Sequence, residues 1–590
     1  MPILKVADSA VLREKPIFSP RIASVSEWTL SRISKIKISR DTNQLFGEIC
    51  AGHKSCCQPK AEISINGLET IILPVPDLIL YNGWIYREPE SRRRFEAMAV
   101  RNGMVANLGS NHEILKLKSK TTRIFDLRGR TVLPGFSDSH IHLLNYGMLL
   151  RTLNLSRSRS IEEIKRRVAN WSSTRSRDAW VLGRGWDDEK LREHRYPTKD
   201  DLDLATSNPV FLKRICGHLA VANSAALSVA GIDNLSTNPP GGQIVRDPQG
   251  TPNGVLKETA IELVEKVVPE SMDETKKALV YASRKLARLG LASLHCIISS
   301  LAELNSLREL KQEQKIPQSI YAIIPAKLVD SLAPLELSSE KNEDSFHVGG
   351  VKLYLDGSLG ARTAALNEPY YDDPTSSGML VMSQEELAEI ASKAKKSGFQ
   401  LCIHAIGDIA VDLAVRILGD TFGPKGCRQL RHRIEHASIV SEASMKEMRR
   451  LGIIASVQPR FVYSDQWAND RLGHERLPEL YPFASMSRAG IMLTAGSDCP
   501  VEDPNPFEGI WSAVARPGLD KKERLTVGEA LVAYTKNSAY ASFSENFRGT
   551  LGAGNIADMV VLDRDPYESS LESLRETRVV RTIIGGKVVS

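Results

Sequence analysis

Helix-period stretches that stop at a glycine and run straight into an apolar strand recur through the middle of this chain. The clearest begins at Ser383, with Glu386 three residues later as a capping box, and continues through Leu387, Ile390, Ala391 and Ala394 at helical spacing. It ends at Gly398, just before an apolar strand at 399–403. Gly290, Gly452 and Gly490 lead into apolar strands in the same way. Continuous apolar strands alternating with helices predict a parallel sheet covered on its faces. The predicted strands are 132–138, 291–295, 319–324, 349–355, 399–404, 431–436, 453–457 and 491–497. Eight such strands fit a closed barrel better than an open sheet.

Towards the two ends the period changes to two. Short alternating strands meet at Asn82-Gly83, Asn102-Gly103 and Gly585-Gly586, dipeptides suited to tight hairpins. The expected fold is α/β: a distorted (β/α)8 TIM-like barrel over 132–544, with an inserted subdomain at about 145–290. A small composite β-domain, built from both termini, takes 76–131 and 545–590. Residues 1–75 read as an N-terminal tail. Its first forty residues hold eight Lys or Arg, three Asp or Glu and seven serines, which fits either an organelle transit peptide or a solvated tail. The cytoplasm is the expected location, with an organelle as the alternative.

Composition narrows the class. Of 590 residues, 42% are hydrophobic and 25% charged, ordinary globular values that exclude a mainly disordered or fibrous chain. A net charge of +6, with no long basic tract outside the N-terminus, calls for no nucleic-acid partner. Eight cysteines without Cys-x-x-Cys spacing argue against a structural zinc site and a disulfide scaffold. No apolar run approaches the roughly 20 residues of a membrane span. The expected partner is a small-molecule substrate, and an oligomer is compatible with everything above.

The strongest chemical signal is Ser137-Asp138-Ser139-His140-Ile141-His142 at the end of the first strand. Side chains two apart in an extended segment point the same way, so both imidazoles can meet one ion. His404, His436 and Asp498 each close a predicted strand, at the carboxyl ends where barrel enzymes carry their sites. Four histidines and an aspartate on one rim make a divalent-metal site, with zinc the leading ion. Lys352 lies inside the apolar strand 349–355, where an unpaired ammonium is costly. It either pairs with Asp356 or Glu435, or is carbamylated by carbon dioxide to an anionic bridge between two metals; the second reading is preferred because the lysine falls between ligand-bearing strands.

With these motifs the sequence resembles the amidohydrolase superfamily, specifically the amidohydrolase-3 group and its plant members of the long-after-far-red type. The resemblance spans about residues 75 to 590. It rests on 133–142, the glycine-rich 241–250 with Pro252 and Gly254, Lys352 through Gly360, 404–408, Arg433-Ile-Glu-His436, Gln458-Pro459, Gly496-Ser-Asp498 and Ala557-Asp558. It implies a mono- or binuclear metal centre and hydrolysis of amide-like, non-peptide carbon–nitrogen bonds. By resemblance, His140 and His142 hold the more buried metal, Lys352 bridges, and His404 and His436 hold the more exposed one. Asp498 binds the buried metal and acts as the catalytic acid–base. Cys216, Cys296 and Asn555 depart from the family pattern, the first two near the substrate pocket.

The expected reaction is attack of a metal-activated hydroxide on a polarised carbonyl, with Asp498 taking the proton and returning it to the departing nitrogen. Arg214, His218 and Asp356 are the candidates for substrate orientation, with the inserted subdomain as a lid. A deaminase on the same scaffold is the nearest alternative; such enzymes place a glutamate where this chain has Gly407. A non-catalytic regulatory homologue is the alternative of a different class.

Overall fold

The computed structural model describes residues 60–61, 73–176, 178–214, 218–269, 272–329 and 345–590. Residues 1–75 and 76–590 form two compact units. In the first, Lys60–Ala61 pairs antiparallel with Leu73–Pro74. The second holds every other element described here.

Its centre is an eight-stranded parallel sheet in which spatial order follows chain order. The strands are β1 (Phe136–Ile141), β2 (Leu291–Ile297), β3 (Ser319–Pro325), β4 (Phe346–Tyr354), β5 (Gln400–Ala405), β6 (Arg433–His436), β7 (Ile454–Val457) and β8 (Leu493–Ala495). The barrel closes just past β8, where Ile141 bridges Cys499 in parallel. There the Asp498 amide donates to the His140 carbonyl at 2.8 Å and the His142 amide to the Cys499 carbonyl at 2.9 Å. The repeated glycine stops have a simple cause. Ser383 and Glu386 cap the helix Gln384–Ser397 reciprocally, and Gly398 ends it at φ 72°, a left-handed conformation glycine adopts without penalty.

The first strand departs from the expected 132–138. Thr131–Pro134 pairs antiparallel with Met559–Leu562, and the barrel strand starts only at Phe136. Gly135 is the crossing point between two sheets, and a Cβ there would lie 2.6 Å from that of Ala292. An apolar run marks burial, not which sheet buries it.

Thr131–Pro134 belongs to a six-stranded sheet that joins Trp84–Tyr86 and Arg94–Phe95 with Met559–Leu562, Val579–Ile584 and Lys587–Val588 from the other end of the chain. A four-stranded sheet of Leu78–Tyr81, Ala97–Arg101, Met104–Gly109 and Arg123–Asp126 shares one core with it, through Leu80, Met98, Val132, Met559 and Ile583.

Between β1 and β2 lies another six-stranded sheet, of Leu153–Asn154, Val181–Trp186, Val210–Arg214, Leu219–Ala222, Pro252–Glu258 and Gly242–Arg246. Alternate residues serve opposite faces: Leu212 and Val221 pack into one core, Phe211 and Ala222 into a second. This sheet occupies a narrower span than the expected 145–290. The helix Met272–Arg288 leads into β2 and packs closely on Leu143–Arg151, since a Cβ at Gly147 would meet the Ala278 carbonyl.

Inside the barrel, polar side chains stand beside a small apolar cluster of Ile297, Tyr321, Ile323 and Cys402. Arg433 on β6 reaches His295 on β2, a contact that can only cross the interior. Tyr321 and Gln400 bond there at 3.1 Å, and Lys352, Arg433 and Glu435 are all buried. Period two explains this. Lys352, Cys402 and Arg433 stand side by side facing inward, while Leu353, Ile403 and Ile434 pack outward in the main apolar core. Among the described residues, no helix is long and apolar enough to cross a membrane.

Candidate metal centre

The barrel seam builds the densest part of the site. Asp138 accepts from the His140 amide at 3.1 Å and from both the amide and hydroxyl of Ser497, at 3.0 and 2.6 Å. That stitch sets β1 against the segment after β8 and turns Asp498 towards the histidines. Asp498 Oδ1 lies 3.2 Å from His142 Nε2 and 3.4 Å from His140 Nε2. One ligand atom from each of His140, His142 and Asp498 falls within 4.8 Å of the other two, close enough for all three to meet one ion.

His436 and His404 stand beside this group, with ring centroids 5.1 Å between His140 and His436 and 4.5 Å between His404 and His436. Each is anchored through one nitrogen. The Gln458 amide nitrogen donates to the Ser456 carbonyl, which leaves its oxygen to accept from His436 Nδ1 at 2.6 Å. His404 Nε2 lies 3.0 Å from the Gly357 carbonyl. Two of the clustered residues sit in left-handed backbone, His436 at φ 74° and Asp498 at φ 55°, a strain characteristic of functional positions.

The electrostatics suit a cation. Burial, and then Lys352, hold His404 down at about 3, and burial with the neighbouring His404 keeps His436 well below its ordinary value. Burial thus favours the neutral form of both rings, the form whose free lone pair can face a cation. Burial alone would raise the Asp498 carboxyl, but His140, His142 and His436 outweigh it and hold the group below the usual carboxylate range.

Lys352 is buried, and among the described residues its Nζ has no hydrogen-bond partner. Neither carboxylate proposed as its ion-pair partner is free. Glu435 binds Arg433 Nε at 2.7 Å and His140 Nδ1 at 2.6 Å. Asp356 accepts from the amides of Ala365, Ile406 and Gly407 at 2.8–3.0 Å. Asp356 therefore ties down the loop after β5, and burial raises its carboxyl to about 6. The Lys352 ammonium is disfavoured by the same burial. Its Nζ lies over the Tyr354 ring, 4.8 Å from the ring centroid.

Arg214 ends the strand Val210–Arg214 of the inserted sheet, and His218 directly precedes its strand Leu219–Ala222. Arg214 pairs with Asp188 at 2.6 Å and Asp187 at 2.9 Å, and the exposed His218 pairs with Glu258 at 3.0 Å. Of the three departures from the family pattern, Cys216 lies outside the described residues, Cys296 is buried in β2, and Asn555 bonds Thr550 near the C-terminal sheet. Sequence reasoning passed over Glu435 as a partner of His140, and quoted Arg433, Asp138 and Ser497 within motifs without giving them a role. The available signal was two opposite charges two residues apart in the strand 431–436, which burial obliges to find partners.

Barrel and cluster together define a barrel protein with a candidate metal site at the carboxyl ends of its strands. The chain belongs to the amidohydrolase family, whose model matches residues 123–590. The Arabidopsis thaliana protein LONG AFTER FAR-RED 3 is 33% identical over 536 residues, covering 87% of this chain and 91% of its own length. The N-substituted formamide deformylase of Arthrobacter pascens is 27% identical over 534 residues, covering 86% and 97%. The crystal structure of an uncharacterized metal-dependent hydrolase from Pyrococcus furiosus matches with a TM-score of 0.74 and 34% identity, over 83% of this chain and all of that one.

Proposed function

We propose that this chain is a metal-dependent amidohydrolase that cleaves a non-peptide carbon–nitrogen bond. The observation that carries the reading is the convergence of His140, His142 and Asp498 on one point, with His404 and His436 alongside. The donor set of imidazoles and carboxylate fits zinc, and the Lys352 amine, without a hydrogen-bond partner among the described residues, fits a site completed by a further anion. When bound, such an ion supplies Lewis acidity, polarising a carbonyl and acidifying water. The name of the formamide deformylase relative supports an amide-like substrate.

In this reading Asp498 takes the proton of the attacking water and returns it to the leaving nitrogen. The Lys352 amine adds to carbon dioxide, forming an N–C bond and releasing one proton, and the resulting carbamate contributes an oxygen donor. Arg214 and His218 serve the substrate from the inserted sheet, and Asp356 acts by fixing the loop that follows His404. Hydrolysis is preferred to ring deamination because a Cβ at Gly407 would lie 2.0 Å from the Ala365 carbonyl, leaving no space for a glutamate.

Metal analysis of the purified chain, run with a screen of N-acyl, carbamate and cyclic-amide compounds, tests the reading. One or two ions per chain and turnover of at least one compound class are expected. A metal-free, inactive chain would instead favour the regulatory alternative. Carbamylation is read separately: bicarbonate raises activity, and density at Lys352 extends beyond Nζ. An unmodified lysine beside two fully occupied metal positions would rule the bridge out.

A further inference from the structure

Glu435 is completely buried inside the barrel, and each of its carboxylate oxygens has a separate task. Oε1 accepts from Arg433 Nε at 2.7 Å, and Oε2 lies 2.6 Å from His140 Nδ1. Arg433 is itself held on other sides, by the Ser139 carbonyl at 2.7 Å, Ser456 Oγ at 3.0 Å and His295 Nδ1 at 3.0 Å. Four strands, β1, β2, β6 and β7, thus fix one guanidinium, and the guanidinium fixes one carboxylate.

A carboxylate is an acceptor only, so the proton of a neutral His140 ring sits on Nδ1. The Nε2 lone pair is then left facing His142 Nε2 and Asp498 Oδ1, the two atoms it must join to hold a cation. Were the tautomer reversed, Nδ1 would set a lone pair against Glu435 and Nε2 would point a proton into the site.

We propose that Glu435, locked by Arg433, is a positioning residue that selects the Nδ1–H tautomer of His140 and orients its Nε2 for metal binding. A carboxylate hydrogen-bonded behind a ligating imidazole also raises its basicity and fixes its ring plane. The consequence for metal binding rests on the proposed metal site; the tautomer does not.

Two measurements separate the two ideas. In metal-free full-length protein labelled with 15N-histidine, with His140 assigned by its loss in His140→Asn, long-range 1H–15N correlations read the tautomer. Nδ1–H is expected in the parent chain, and Nε2–H there would overturn the proposal whatever the metal does. Zinc titration against a competing chelator reads the consequence. Glu435→Gln is expected to weaken binding about 10- to 100-fold. Glu435→Asp keeps the charge beside Arg433 but withdraws it from His140, and should weaken zinc similarly while staying folded by circular dichroism. Zinc binding by both folded variants within twofold of the parent would overturn the positioning role. A parent chain that shows the Nδ1–H tautomer but binds no zinc would defeat the proposed metal site and leave the tautomer assignment standing.

Discussion

The barrel rim and the inserted sheet both carry histidine, arginine and acidic residues, yet they use them differently. At the rim His140 is 1% exposed, its two ring nitrogens facing Glu435 and Asp498. On the inserted sheet the His218 side chain is 73% exposed, and Glu258 is the residue seen beside it. Burial in the barrel makes an unmatched polar atom costly, so most of the chemistry at the rim comes with an ordered supporting network. An exposed pair meets water instead and holds nothing in place. A histidine in a motif therefore predicts function most strongly when the fold closes around it.

The largest effect that could break this comparison is expected from His142→Ala. The variant should lose metal and turnover together while the barrel stays folded, because the rest of the core is untouched. Full activity with normal metal content would sink the rim assignment. Asp498→Asn comes next. It should keep most of the metal, since the amide still offers an oxygen, but lose on the order of 100- to 10,000-fold in single-turnover rate. A folded, metal-loaded variant with near-normal rate would defeat the acid–base role.

Smaller again is Ser497→Ala, which removes the 2.6 Å bond to Asp138 and loosens the seam that holds Asp498. A loss of about 1–2 kcal/mol in unfolding free energy is expected, with a fall in metal affinity. Unchanged stability and affinity would show that the backbone bridge alone closes the barrel. The smallest effect belongs to His218→Ala. Its exposed pair with Glu258 contributes at most about 0.5 kcal/mol. If His218 serves the substrate, KM rises at constant melting temperature; a change in stability without one in KM would assign it a structural part.

The strands of the barrel were legible because their signals are local. A helix stopping at a left-handed glycine, followed by a mainly apolar run, needs no distant partner to be read, as at Gly398 and Gly452. His404 and His436 lie at the carboxyl ends of two such strands, β5 and β6, where the sequence expected them. The first strand failed because Val132 and Phe136 are equally apolar and buried yet belong to different sheets. Arg214, His218 and Asp356 were chosen for residue type near a motif. Type alone does not tell a substrate contact from an ion pair or a loop tie.

By itself the sequence determined the alternation of helix and strand, the number of barrel strands and the candidate ligands at their carboxyl ends, because hydrophobic period and capping are written over a few residues. Only the tertiary structure decided which side chains share the barrel interior. Arg433 meets His295 across 138 positions of chain, and His140 meets Glu435 across 295. Such pairings exist because the sheet curls until β1 meets the end of β8, and closure follows from strand tilt and stagger. Those properties belong to the assembled barrel and to no single segment of it.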